Sequence, residues 1–185
     1  MAKKVLVPIA DGSEEIEAVV IIDVLRRAGA HVVVASVDQS TVRASRGVKL
    51  TADRLIGECQ NETFDLIALP GGMPGAEHLR DSHELIHLLK QQQKDGHLYA
   101  AICASPSVVF QHHGLLENRR ATCFPSRAHT LTNQDAIHSR VVVDGSCITS
   151  QGPGTSLEFA LKLVELLFGS PKRDEVARAL VMPTD

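Results

Sequence analysis

Short apolar runs alternate along the chain with longer segments in which apolar residues recur every three to four positions. VLVPIA (Val5 to Ala10) predicts a strand, Ser13 to Ala28 an amphipathic helix, and HVVVASVD (His31 to Asp38) a second strand. The alternation continues through DLIALPGG (Asp65 to Gly72), a helix over Ser82 to Lys94, LYAAIC (Leu98 to Cys103) and a helix beginning near Ser105. These strands are apolar at nearly every position, the pattern of a parallel sheet covered by helices on both faces. RVVVDGSCITS (Arg140 to Ser150) predicts a hairpin turned by Asp144-Gly145. Thr155 and Glu158 predict a capping box at the head of LEFALKLVELLF, with Gly169 as its stop and Ser170-Pro171 opening a last short helix.

No repeat, low-complexity tract or linker interrupts this order, so residues 1–185 are expected to form one doubly wound α/β domain. In such sheets the ligand crevice lies outside the carboxyl ends of the strands. That rule singles out Ala10 to Glu17, Pro70 to Ala76 and Cys103 to Ser107.

Composition narrows the partners. The net charge is -3 with Lys and Arg scattered, so there is neither the basic stripe of a nucleic-acid binder nor a polybasic membrane patch. MAKKVLVPIA lacks a signal-peptide cleavage pattern, and no apolar run approaches the ~20 residues of a spanning helix. Cys59, Cys103, Cys123 and Cys147 lie far apart without a CxxC pair, which suits reduced thiols in a cytoplasm.

Cys103 stands where an apolar strand stops and small residues begin, in AAICASPSVVF. A strand ending in a nucleophile and turning sharply into a helix presents that side chain at the crevice, with free helix N-H groups behind it. There the N-H of Ala104 could hold a developing oxyanion, and Gly72, at the end of the strand expected alongside, could supply a second donor. The residues alone leave two accounts of Cys103 open: a small buried hydrophobe, as cysteine commonly is, or a nucleophile. Glu17 bears on the choice. It shares a helix face with Val20, Ile21, Val24 and Leu25, whereas Glu14 and Glu15 fall in the first turn, where acids complement the helix dipole. A carboxyl on an apolar stripe is costly to ionise, so a protonated Glu17 is expected to donate to a Cys103 thiolate and to shuttle protons.

DGSEEIEAV, SRGVKL, LPGGMPGAE, AAICASP and TSQGPGTSLEFAL, in this order, resemble the ThiJ/PfpI family over essentially the whole chain, specifically its Parkinson-associated deglycase branch and the bacterial YajL-like subgroup. The resemblance implies a flavodoxin-like sandwich, usually a homodimer. It also implies a reactive cysteine at Cys103 on a strained elbow, touched by a protonated carboxyl at Glu17, with oxyanion donors from the backbone of Gly72 and Ala104. The activities it implies are cofactor-free glyoxalase chemistry on methylglyoxal and glyoxal, deglycation of early adducts, and oxidative-stress chaperoning.

The chain departs from family patterns at two positions. Ala104 stands where the peptidase branch has histidine after its cysteine, which argues against proteolysis. Phe124 stands where some deglycase-branch members have histidine, which throws acid-base work onto Glu17. Cys123 beside it reads as a buried strand cysteine in preference to a second redox thiol. Arg27 and Arg46 match basic positions that dimers of the family bring near the pocket across the interface.

HELIH (His83 to His87) fits a zinc motif, yet at ~100° per residue both histidines fall opposite Leu85, Ile86, Leu88 and Leu89, beside Lys90 and Lys94. No metal is assigned. His112-His113 is expected to complement a helix C-terminus, and QGPGT lacks the phosphate-loop lysine. The leading expectation is a cytoplasmic, cofactor-independent cysteine glyoxalase or deglycase acting on small reactive aldehydes or glycated substrates. The rival is a redox-sensing holdase chaperone that binds unfolded clients and is switched by oxidation of the same cysteine. A third reading, a vestigial cysteine, predicts an ordinary thiol pKa of about 8.5.

Overall fold

The computed structural model describes residues 3–183. In chain order its main elements are β1 (Lys4–Ile9), α1 (Glu15–Arg27), β2 (His31–Ser36), β3 (Thr41–Arg43), β4 (Lys49–Thr51), β5 (Arg54–Leu55) and β6 (Leu66–Leu69). They continue with α2 (Gly75–Asp81), α3 (His83–Lys94), β7 (Leu98–Ile102), β8 (Val141–Asp144), β9 (Cys147–Ser150), α4 (Ser156–Phe168) and α5 (Ser170–Ala179).

Seven strands form one sheet in the order β5-β2-β1-β6-β7-β9-β8, parallel throughout except where β8 runs antiparallel to β9. Alternation along each strand sorts the core into two layers. Val5, Val7 and Ile9 of β1, with Val32 and Val34 of β2, meet Ile21, Val24 and Leu25 of α1 and Phe159, Leu163 and Val164 of α4. Leu6, Val33, Ile67, Leu69, Tyr99 and Ala101 face the other way, onto Leu85, Leu88 and Leu89 of α3. The fold is therefore the flavodoxin-like α/β sandwich that the strand pattern and the resemblance imply.

The differences from expectation lie in short or polar segments. The β3-β4 hairpin and two-residue β5 carry too few residues for a periodic signal, and α2 (GAEHLRD) turns only Gly75, Ala76 and Leu79 inward. Helix α1 opens at Glu15 because the Ser13 hydroxyl accepts from the Ala10 N-H (3.0 Å), closing the strand exit instead of capping the helix. The Thr155/Glu158 capping box does not form. Thr155 Oγ1 is held by Ser150 Oγ (2.7 Å) and the Gly152 N-H (3.1 Å), and Glu158 is drawn to Arg140 (2.7 Å). After β7, Pro106–Gln111 winds as a π-helix, a wider turn that buries Pro106 through Phe110.

The loops leaving β1 and β6 interlock at the carboxyl end of the sheet. Glu14 N-H donates to the Gly71 carbonyl (2.9 Å), and a Cβ on Gly72, whose φ is 88°, would meet Gly12 O and Glu14 N at 2.5 Å. A Cβ on Gly75 would strike the Ser13 backbone, with Gly12 C at 2.5 Å and Ser13 Cα at 2.6 Å. Backbone cannot yield as a side-chain tip can, so Gly75→Ala is expected to cost about 1–3 kcal/mol, read as a lower urea midpoint at unchanged slope.

Candidate active site

Cys103 directly follows β7 with φ 66°, a left-handed conformation that a residue bearing a Cβ adopts at a cost of order 1–3 kcal/mol. Two backbone bonds hold it there. Its N-H donates to the Ser150 carbonyl at the end of β9 (3.0 Å), and its carbonyl accepts from the Phe124 N-H (2.7 Å). Gly71 completes the fit, since a Cβ there would lie 2.7 Å from Cys103 Cβ and 2.9 Å from Ala104 N. The residue is left 9% exposed, largely withdrawn from water but not sealed off, against 0–1% for the other three cysteines.

Glu17 comes to the same point from α1. It is fully buried; Oε2 accepts from the Gly71 N-H (2.7 Å), and Oε1 has no hydrogen-bond partner among the described residues. The backbone N-H groups of Gly72 and Ala104 lie near enough to the Cys103 sulfur to favour its ionised form. Glu17, Gly72, Cys103 and Ala104, the four residues singled out in the sequence, thus meet at one site.

The electrostatics differ in one respect from expectation. Burial pushes the Glu17 carboxyl up to about 7, with the Gly71 N-H and the Cys103 thiol pulling the other way and the Glu14 charge adding to the rise. Burial also pushes the Cys103 thiol up to about 12, reinforced by the nearby Glu17 carboxyl and opposed by the Gly72 and Ala104 N-H groups. The strand-end position alone suggests a low-pKa thiolate; burial beside a second acid reverses that. Two acids in one dry site share a proton, and the pair releases its first proton near pH 7.

Other expectations sort by distance from this point. Phe124 is adjacent, through its N-H on the Cys103 carbonyl, and the residue is 41% exposed. Arg46 is tied to the start of α1, its N-H donating to Glu15 Oε1 (2.9 Å). Arg27 is not brought there within the chain: it lies ten residues beyond Glu17, about 15 Å along α1, paired with Asp23 (2.6 Å). Glu14 and Glu15 are more than dipole partners. Both are buried, both meet the Ser45 hydroxyl (2.7 and 2.9 Å), and together they fasten the 45–48 turn over the start of α1. Gly71 is the contributor that the sequence reading missed; the Gly-Gly doublet after an apolar strand was its available signal.

His83 and His87 do lie away from the buried face of α3, and among the described residues no cluster of three His, Cys, Asp or Glu could hold a metal. His113 Nε2 donates to the Arg80 carbonyl of α2 (2.8 Å), a tertiary tie instead of the expected dipole contact. Cys123 is fully buried, although in no strand, and burial pushes its thiol up to about 11.

The DJ-1/PfpI family model matches residues 3–166. The chain belongs to the DJ-1/PfpI family. Among solved structures, oxidized Toxoplasma gondii DJ-1 superposes with a TM-score of 0.97 at 52% identity, covering 99% of this chain and 100% of that one. Drosophila melanogaster DJ-1beta superposes at 0.93 with 39% identity, covering 100% of both. Protein DJ-1 homolog B of Arabidopsis thaliana is 53% identical over 180 residues, which are 97% of this chain but 41% of that protein. The chain spans less than half the length of each of the two Arabidopsis relatives it matches, with 41% and 47% covered. A Caenorhabditis elegans member named glutathione-independent glyoxalase DJR-1.2 is 38% identical over 180 residues, with 96% of this chain and 95% of that one covered. No described helix is long and apolar enough to cross a membrane.

Proposed function

We propose that this DJ-1/PfpI chain converts methylglyoxal and glyoxal to hydroxy acids without a cofactor, using Cys103 as nucleophile. The observation that carries this reading is the elbow itself: a strained, reachable sulfur faced by two N-H donors and one protonatable carboxyl. The relative named as a glyoxalase supports it.

In the singly ionised pair, Glu17 takes the thiol proton, and the Gly72 and Ala104 N-H groups hold the thiolate that results. The sulfur adds to the aldehyde carbon of methylglyoxal; the C=O π pair becomes an alkoxide, which Glu17 protonates to give a hemithioacetal. Glu17 then removes the proton from that carbon and the resulting enediol is reprotonated at the neighbouring carbon, giving a lactoyl thioester. Water cleaves the S-C bond, releasing lactate and the thiol. The sum is one methylglyoxal plus one water to one lactic acid, by protein groups alone. Early glycation adducts enter the same scheme with an amine or thiol as the leaving group, which makes deglycation an extension of it.

Two further parts belong to this proposal. A reducing compartment such as the cytoplasm suits four free, buried cysteines. A homodimer is supported by Ile16 and Val19 on α1 and Val48 beside them, about half exposed at 53%, 47% and 50%. Val19→Glu is expected to shift the sedimentation coefficient from dimer to monomer.

The test is lactate formation from methylglyoxal by the reduced protein in the presence of chelator. Turnover is expected; none from a folded, fully reduced sample overturns the reading in favour of a peroxide-sensing chaperone.

A further inference from the structure

We propose that Phe124 sets the carbonyl specificity of the site, and that the recess beside its ring takes the aryl or branched-alkyl substituent of an α-oxoaldehyde. This deepens the proposed function, and rests on it only in taking Cys103 as the reacting group.

A recess of about 180 Å³ lies between Phe124-Pro125 and the 151–155 turn, with Arg140 at its edge. Both walls are tied to the nucleophile's backbone. Phe124 N-H bonds the Cys103 carbonyl (2.7 Å), and Gln151 directly follows Ser150, whose carbonyl takes the Cys103 N-H (3.0 Å). Cys103 does not itself line the recess; these two backbone bonds fix both walls beside its residue, and a substituent on a carbon bonded to its sulfur would extend toward them.

Its chemistry is mostly apolar, because most of its polar groups are engaged, Gln151 Nε2 among them through the Ile137 carbonyl (3.2 Å). Arg140 donates from Nε to Glu158 (2.7 Å) and from Nη2 to the Gly154 carbonyl (2.8 Å). Thr155 Oγ1 is taken up by Ser150 Oγ (2.7 Å) and by the Gly152 N-H (3.1 Å). What remains to a ligand is the Phe124 ring, the rings of Pro125 and Pro153, the glycine backbone of 152 and 154, and the Gln151 side-chain carbonyl at one side. The ring of a residue 41% exposed is a surface that a flat apolar group covers with gain. Histidine at this position would instead offer a titratable donor; phenylalanine gives that up for contact.

Gly152 sets the width. A Cβ there would sit 3.2 Å from Phe124 Cδ2, so the ring rests directly on the glycine. The φ of Gly152 is 163°, extended backbone open to any residue, so Gly152→Ala narrows the recess without backbone strain.

The experiment compares two alkylating probes, iodoacetamide and its N-phenyl analogue. In each, an S-C bond forms at Cys103, the C-I bond breaks, iodide leaves and the thiol proton passes to solvent. The readout is the ratio of the two rate constants, N-phenyl over parent, divided by the same ratio for free cysteine. Cys103→Ser marks any labelling at the other thiols, whose residues are at most 1% exposed against 9% for Cys103. In the wild type this normalised ratio is expected at about tenfold or more, falling toward one in both Phe124→Ala and Gly152→Ala. A ratio unchanged in either folded variant, or near one in the wild type, overturns the assignment. Turnover of phenylglyoxal against methylglyoxal, run alongside, separates the two proposals. Lactate formation without aryl preference overturns the recess and leaves the glyoxalase reading standing. Aryl preference in labelling without any turnover supports the recess and overturns the glyoxalase reading.

Discussion

Cys103→Ser is expected to reduce lactate formation from methylglyoxal to the buffer background while leaving the fold intact. Serine is nearly isosteric, keeps the two backbone bonds to Ser150 and Phe124, and meets the same strain at φ 66°. Its hydroxyl is far less acidic than a thiol, and Glu17 near 7 is too weak a base to ionise it in an apolar site. Removing a nucleophile from a working ensemble commonly costs several orders of magnitude, here all turnover above the uncatalysed rate. Equal far-ultraviolet circular dichroism and urea midpoints for the two proteins establish that the loss is chemical. Retained turnover in the serine protein would transfer the reaction to some other group and end the elbow mechanism.

Glu17→Gln is expected to act in opposite directions on activity and stability. The amide still accepts from the Gly71 N-H but neither takes nor gives a proton, so kcat/KM should fall by about 10²- to 10⁴-fold, the usual worth of a positioned acid-base group. In the wild type, kcat/KM and the alkylation rate of Cys103 should both climb through about pH 7, where the pair loses its first proton, and the Gln protein should lose that inflection. Stability runs the other way. The Glu17 pKa is about 7 folded against 4.5 unfolded, so the native state binds more protons between those values and the unfolding free energy falls as pH rises through them. The full difference, about 3 kcal/mol, is present above pH 7 and absent below 4.5. Glu17→Gln should therefore be more stable than wild type at pH 8, with the gap closing toward pH 5 in parallel urea titrations. A variant less stable than wild type at pH 8 would show the carboxylate to be structurally required, contrary to this account.

That trade fits a site held together against its own preferences. A fully buried carboxyl, a second buried acid and a left-handed cysteine each oppose folding locally, and the interlocked glycines at 71, 72 and 75 hold them in place. Local rules that fail together at one point are characteristic of a functional site.

The sequence by itself determined the parallel strands, the helices that cover them and the residues of the elbow. Those features rest on periodicity: Val5 to Ile9, or Glu17 beside Ile21 and Val24, declare their faces through spacing along one element. It also singled out Cys103, Glu17, Gly72 and Ala104, because a strand end, a helix face and a glycine doublet are local signals. Tertiary structure alone decided what surrounds them. The thiol's rise to about 12 comes from burial and from a carboxyl 86 positions away in sequence, which no window along the chain contains. The same holds for Glu14 and Glu15 meeting at Ser45, for Thr155 turning to Gly152 instead of capping a helix, and for Arg27 ending far from the site. Each of these depends on which loops cross at the carboxyl end of the sheet. Desolvation and hydrogen-bond competition follow from that proximity in space, whereas periodicity follows from adjacency along the chain.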